Sequence, residues 1–481
     1  MMNRNYLWQT FLFVLFTVLG LLLLGLLPDV VLGGERLRRV DILSDVRPGG
    51  GSDASVAVDS VAIVDSLLRA EMVVAVAGGD SLSGDGAALG DSVVGDSVPV
   101  VKKVVPAVGR GGSGIVDPEG DMGAFYAALD EAGSRPVRIA YFGDSFVEGD
   151  IFTGDLRRML QREFGGGGVG FVPVTSATSG FRRTVRHDFK GWESHVLGSD
   201  RHFDAGRQSV AGSYFIPVDS VASVHLSSRI KGRGAKDTCD ISYLFFKSED
   251  GVVLRASDGR GDAREFVCDG SRELNREAFV GHFMDVEWSV EGADSSALFY
   301  GATMETRTGV VLDNFSSRGS SGMHLSAIPR SMMSDFFRLR HYDLVVLHYG
   351  LNVATAHQID YNYYRVGMRN VVRYIRETFP GVSVLIVGIG DREYRSEDDG
   401  ELHTMPGVKS LMLFQQKAAM DSGAAFWNLY DAMGGEGSIV RMVEDGMANK
   451  DYTHISFAGG KRLSKLLFDA LMDGYEGRGD E

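Results

Sequence analysis

The sequence predicts a three-layer α/β/α protein whose parallel sheet is interrupted by an inserted β-sandwich and preceded by an apolar segment and a long linker. Three observations carry this. Residues 137–164 read as an apolar strand, a turn opened by Gly143 and an amphipathic helix. Residues 184–308 break into short alternating segments with turn residues between them. From residue 310 onward strands and helices alternate. Strand–helix alternation builds parallel sheets covered on both faces, whereas runs of short alternating strands build sandwiches.

In chain order, residues 5–28 carry no charge and residues 11–27 are almost wholly apolar, enough to span a bilayer. We read 6–28 as a retained transmembrane anchor. A cleaved signal peptide is the alternative, opposed by the length of the apolar run and by the lack of a small-x-small cleavage site. Residues 40–116 are dominated by Gly, Ser, Asp, Val and Ala, with recurring Val-Asp-Ser and Gly-Asp-Ser units, the composition of a linker.

The first part of the α/β domain is placed at 117–183. It has a helix over 122–132, a strand from Val137 and a helix over 153–164 with Leu156, Met159, Leu160 and Phe164 at helical spacing, stopped by the glycines from Gly165. The inserted β-sandwich takes 184–308, with strands near 213–218, 220–228, 239–247 and 284–290. The second part, 309–481, has strands at 310–314, 343–349, 382–389 and 425–429, with helices over 361–379, 409–422 and 456–475.

Composition narrows the function. A 481-residue chain with 44% hydrophobic residues can bury real cores. Its net charge of −15, with no basic cluster, excludes a nucleic-acid-binding role. Cys239 and Cys268 are the only cysteines, either one disulfide or two unrelated thiols. No histidine stands near them at ligand spacing, so neither a metal nor a cofactor is expected.

The chemistry gathers at the ends of the predicted parallel strands, where open α/β sheets bind ligands. Gly143-Asp144-Ser145 presents a serine in the turn after the first strand. The same tripeptide recurs at Ser81, Ser92 and Ser97, but no helix follows those copies and none has partners downstream. Gly350-Leu351-Asn352 follows the strand at 343–349 and offers a side-chain amide to a developing oxyanion. An asparagine that merely caps the turn is the competing reading. Asp451-Tyr452-Thr453-His454 supplies an imidazole of near-neutral pKa with a carboxylate three residues earlier to fix its tautomer. A backbone donor is expected in the loop 314–322, at Gly319, with Gly322 as the competitor and a plain flexible loop as the alternative. The loops bearing Ser145, Asn352 and His454 are short, and no lid is evident.

Taken in this order, Gly143-Asp144-Ser145, Gly319, Gly350-Leu351-Asn352 and Asp451 to His454 resemble the four blocks of the SGNH, or GDSL-type, hydrolases. The resemblance spans 117–181 and 310–475. It implies Ser145 as nucleophile, the Ser145 and Gly319 N–H groups with the Asn352 amide as oxyanion hole, His454 as base and Asp451 as its orienting partner. Val353 stands where the family often has Asp, and Phe146 where it often has Leu.

The stretch after Ser145 and the β-rich insertion are similar to bacterial peptidoglycan O-acetylesterases. That implies an O-acetylated glycan substrate, carbohydrate binding by the insertion and a periplasmic domain held by the anchor in the inner membrane. Arg36, Arg38 and Arg39 favour the opposite orientation on charge alone. A glycan O-acetyltransferase fed by a membrane O-acyltransferase partner would use the same triad, and a non-catalytic glycan-binding protein is the third reading.

Overall fold

The computed structural model describes residues 114–229, 238–293, 296–396 and 399–478, together with a small ladder between Val31–Leu32 and Glu35–Arg36. The anchor at 6–28, and the linker apart from residues 114–116, lie outside the described residues. Among the described residues no helix is long and apolar enough to cross a membrane.

The α/β part holds a parallel sheet of β1 (Pro136–Gly143), β2 (Gly309–Ser316), β3 (Leu344–His348), β4 (Ser383–Val387) and β5 (Ala425–Trp427), in the spatial order β2-β1-β3-β4-β5. These strands are almost wholly buried, as their mainly apolar sequences require when helices cover both faces, with Arg138, Asp313 and Asn314 among the buried polar exceptions. Right-handed crossovers place the β1-to-β2 connection on one face and the later ones on the other. Helices α1 (Gly123–Asp130), α2 (Thr153–Phe164), α3 (Arg330–Arg340), α4 (Asn362–Thr378), α5 (Pro406–Ser422) and α6 (Phe457–Gly477) form these layers, α2 packing on α6 and α4 on α5. The strand order reverses between β1 and β3, which opens a crevice at their carboxyl ends. Ser145 and Asn352 leave the sheet at those two ends.

The insertion is built from two antiparallel sheets whose inward residues share a core that includes Phe215, Leu244, Phe246, Leu254, Trp288 and Phe299. Trp288 spans it, donating its indole N–H to Ser242 Oγ at 2.8 Å. The sequence boundary at 184 needs correction. The strand Gly170–Pro173, read as part of the α/β domain, pairs antiparallel with Leu298–Met304 of the insertion, and Val169, Val172 and Val174 lie in the sandwich core. Its four residues follow a run of glycines, too short for an alternating pattern to be read.

Both ends of the insertion are tied to the α/β part by one buried ionic cluster. Arg340 of α3 pairs with Glu305 at 2.7 Å and with Asp313 of β2 at 2.5 Å, and Arg138 of β1 pairs with Glu305 at 2.9 Å. Asp313 also accepts the Phe171 N–H at 2.8 Å, at the entry to the insertion. Burial opposes ionisation of Glu305 and Asp313, but the guanidinium groups outweigh it and hold both carboxyls below their usual range.

Candidate active site

At the end of β1 the chain must turn where a Cβ on Gly143 would come within 2.5 Å of the Val147 side chain and 3.0 Å of the His348 carbonyl, so only glycine fits. The turn lifts Ser145 toward the loop before α6. Ser145 Oγ lies 3.0 Å from His454 Nε2, and His454 Nδ1 lies 2.8 Å from Asp451 Oδ2. With Nδ1–H donating to the carboxylate, Nε2 is left as the acceptor for the Ser145 hydroxyl.

Asp451 is also held by the Thr453 and His454 N–H groups, each at 3.0 Å to Oδ1. Partial burial raises its pKa, but these bonds and the imidazole win and leave it below the ordinary value. The tight turn depends on Tyr452, which adopts a left-handed φ of 51°. That is a strained conformation for an aromatic residue, placed beside the base it positions.

Asp144, the middle residue of the Gly-Asp-Ser turn, joins the two halves of the crevice. Its Oδ1 accepts the Phe146 N–H at 3.0 Å and its Oδ2 accepts the Leu351 N–H at 3.2 Å. Complete burial pushes this carboxyl up to about 6 against those backbone donors. Arg392, just beyond β4, donates to the Leu351 carbonyl at 2.8 Å and faces Asp451 and Asp144. Its one sequence signal is its place at the carboxyl end of a parallel strand.

The Asn352 amide donates to the Ser320 carbonyl at 3.1 Å, docking the loop after β2 onto the loop after β3. One amide hydrogen remains for another acceptor. Among the described residues the Ser145 and Gly319 N–H groups donate to no protein acceptor. Gly322 differs: its N–H is turned into Ser320 Oγ at 2.9 Å and its Cα packs against the Tyr349 ring. Gly319 is exposed with a φ of 79°, and Arg318 beside it reaches Glu148 of the Ser145 turn at 2.5 Å.

A second buried cluster fixes the far side of the turn. Asp150, at a φ of 63°, holds Arg157 and Arg182 at 2.9 Å each, and Thr184 and Asn314 donate to it. Burial works against its charge, but the two guanidinium groups keep it well below its usual pKa. Arg182 and Thr184 belong to the segment 174–184, which sequence analysis did not connect with the site. Phe181 of that segment lies on Gly149, where a Cβ would sit 2.6 Å from its ring, and against Phe457, 5.1 Å between centroids.

A cleft of about 870 Å³ opens between the Ser145 turn, the end of β2 and the insertion. Hydroxyls of Thr175, Ser194, Ser213 and Ser316 line it beside the rings of Phe215 and Phe315. Two buried atoms on its lining residues, Ser213 Oγ and Asn314 Oδ1, have no hydrogen-bond partner. Among the described residues no cluster of His, Cys, Asp and Glu fits a metal ion. Cys239 and Cys268 are both free, and burial pushes each thiol up to about 12, far from reactivity.

No protein-family model and no curated protein matches the chain. Solved structures do. One described as a peptidoglycan O-acetylesterase in action superposes with a TM-score of 0.61 at 23% identity, covering 76% of this chain and 99% of the other. An active-site mutant of a family two carbohydrate esterase from Clostridium thermocellum matches at a TM-score of 0.27 and 10% identity over 60% and 98% of the two chains, too remote to add to the argument. The chain thus shares its fold, a parallel α/β sheet interrupted after the first strand by a β-rich insertion, with a solved peptidoglycan O-acetylesterase.

Proposed function

We propose that the chain is a serine esterase that removes O-acetyl groups from a cell-envelope polysaccharide, with peptidoglycan as substrate. The observation that carries the reading is the assembled line Ser145, His454, Asp451, with contacts of 3.0 and 2.8 Å between residues from two distant parts of the sequence. Ser145 Oγ attacks the ester carbonyl carbon while its proton passes to His454 Nε2. The oxyanion develops toward the Ser145 N–H, the Gly319 N–H and the free amide hydrogen of Asn352. Collapse expels the sugar oxygen, which takes the proton from His454. Water, deprotonated by His454, then releases acetate from acetyl-Ser145.

The glycan is supported by the cleft. Hydroxyls beside aromatic faces, with two buried polar atoms awaiting partners, suit sugar rings better than an acyl chain. Peptidoglycan is supported by the shared fold, and the apolar segment 6–28 would tether the domain to the membrane facing that substrate. Hydrolysis is favoured over transfer because His454 and Asp451 are 42% and 49% exposed, so water reaches the acetyl-enzyme freely.

Ser145→Ala should abolish acetate release from O-acetylated peptidoglycan and from a small chromogenic acetyl ester, with an unchanged circular-dichroism spectrum. Ser81→Ala should retain full activity. Loss of activity in the Ser81 variant alone, or acetylation of added sugar faster than acetate appears, would overturn the reading.

A further inference from the structure

A second recess, of about 450 Å³, lies against the first turn of α6, which begins three residues after His454, and has an unusual charge. Its lining includes Asp155 and Arg158 of α2, Arg183, Arg229, and Phe457 and Lys461 of α6. Arg158 is neutralised by Asp155. Asp150, at its floor, is occupied with Arg157 and Arg182. Arg183, Arg229 and Lys461 remain, all exposed, and among the described residues none has a carboxylate within 4.0 Å. In a chain of net charge −15, three unopposed cations around one concavity are a local feature and not background.

The recess is coupled to the reaction centre by a chain of contacts. Phe457 is three residues after His454, and Phe181 rests on both Phe457 and Gly149 of the Ser145 turn. The guanidinium carbon of Arg183 lies over the Phe457 ring, 3.8 Å from its centroid. Arg183 is thus held by an aromatic ring and not by a carboxylate, and a guanidinium can bind an incoming carboxylate through two parallel bonds.

We propose that this recess receives a carboxylate of the acetylated polymer, so that the enzyme reads a negative charge close to the ester it cleaves. The inference rests on the esterase reading and deepens it. The charge of peptidoglycan resides in the carboxylates of its peptide stems, so substrate selection would require stem and acetyl group on neighbouring positions of one strand.

The test compares wild type with the double variant Arg183→Ser/Lys461→Ser on three substrates: O-acetylated peptidoglycan, the same polymer with its carboxylates amidated, and a neutral small ester. On the native polymer KM should rise roughly 10- to 100-fold, as for the loss of charge-assisted hydrogen bonds, with kcat little changed. Amidation should remove the difference between the two proteins, and unchanged turnover of the small ester reports an intact fold. Binding of the full-length Ser145→Ala protein to native and amidated peptidoglycan reads the same contact without turnover. Salt should weaken the native complex more than the amidated one. Equal KM in both proteins, or equal binding to both polymers, overturns the site. A chain inactive on every ester that still binds by charge would sink the esterase reading and leave this site standing.

Discussion

Asn352 shows how a residue can be placed by structure and still be ready for chemistry. One of its amide hydrogens holds the Ser320 carbonyl, so truncation costs a loop contact as well as the oxyanion donor of the proposed mechanism. Asn352→Ala should lower kcat on the small ester about 10²- to 10³-fold, the usual cost of one such donor, with little change in KM. Wild-type turnover in that variant would reduce Asn352 to a turn residue. The residues in line at the site were legible because each sits in a short motif next to a strand end: Ser145 after β1, Asn352 after β3, His454 before α6. Asp144, Asp150 and Arg392 were not. Their work consists of bonds to backbone and side chains distant in sequence, and such pairing leaves no local pattern.

The helix that carries the base is set by two glycines. In the first turn of α6, a Cβ on Gly459 would lie 2.1 Å from the Met447 carbonyl, and one on Gly460 would lie 1.9 Å from the Ile151 carbonyl. Glycine weakens a helix by about 1 kcal/mol relative to alanine, so the pair serves close approach and not propensity. Ile151 belongs to the chain between the Ser145 turn and α2, so this contact fixes the distance from nucleophile to base. Gly460→Ala should force α6 outward, lowering stability by about 1–3 kcal/mol in urea titration and reducing kcat more than it raises KM. A variant that loses stability at unchanged kcat would show that the contact supports the fold alone.

Among the elements, α2 was readable to its exact ends because its apolar positions have a 3.6-residue period and glycine stops it. The helix α3 escaped notice although Met332, Met333 and Phe336 are buried at helical spacing, because it follows directly on an irregular loop.

Across the whole molecule, stability should depend steeply on acid. Burial pushes His187 and His324 down to about 4 and His348 to about 3, whereas unfolded imidazoles titrate at about 6.5. Above about pH 6.5 all three are neutral in both states and the full stability is present. As pH falls below that, the unfolded chain takes up protons that the folded one refuses, and stability is lost at about 1.4 kcal/mol per pH unit for each group. Asp144 acts in the opposite sense: its folded pKa of about 6 means that the native state gains its proton first, which offsets one histidine. For these four groups together the loss is about 3 kcal/mol per pH unit between about pH 6 and 4, and the raised carboxyls of Asp121 and Glu393 reduce it. Against a total of roughly 5–15 kcal/mol, a loss of about 4 kcal/mol between pH 7 and 5 should lower the urea midpoint followed by tryptophan fluorescence, and flat stability from pH 7 to 5 would contradict this account. Removing the insertion from 184 to 308 is a poor way to test its role, since it strips Arg340 of Glu305 and leaves the strand Gly170–Pro173 without its partner.

The pairing of β1 with β2 also sets the order in which the chain can fold. Pro136 and Gly309 are neighbours in the sheet but roughly 170 positions apart along the chain, a closure whose entropy cost grows with loop length. During synthesis at about 5–20 residues per second, β1 waits about 9 to 35 s for its edge partner. The insertion shortens this wait in space if not in time, because Gly170–Pro173 pairs with Leu298–Met304 and its two ends finish side by side. Once it has folded, the remaining closure involves only about 40 residues, a saving of about 1 kcal/mol. Vectorial synthesis therefore makes the inserted β-sandwich the first module able to mature, and Ser145 meets His454 only when the chain before the last helix has emerged.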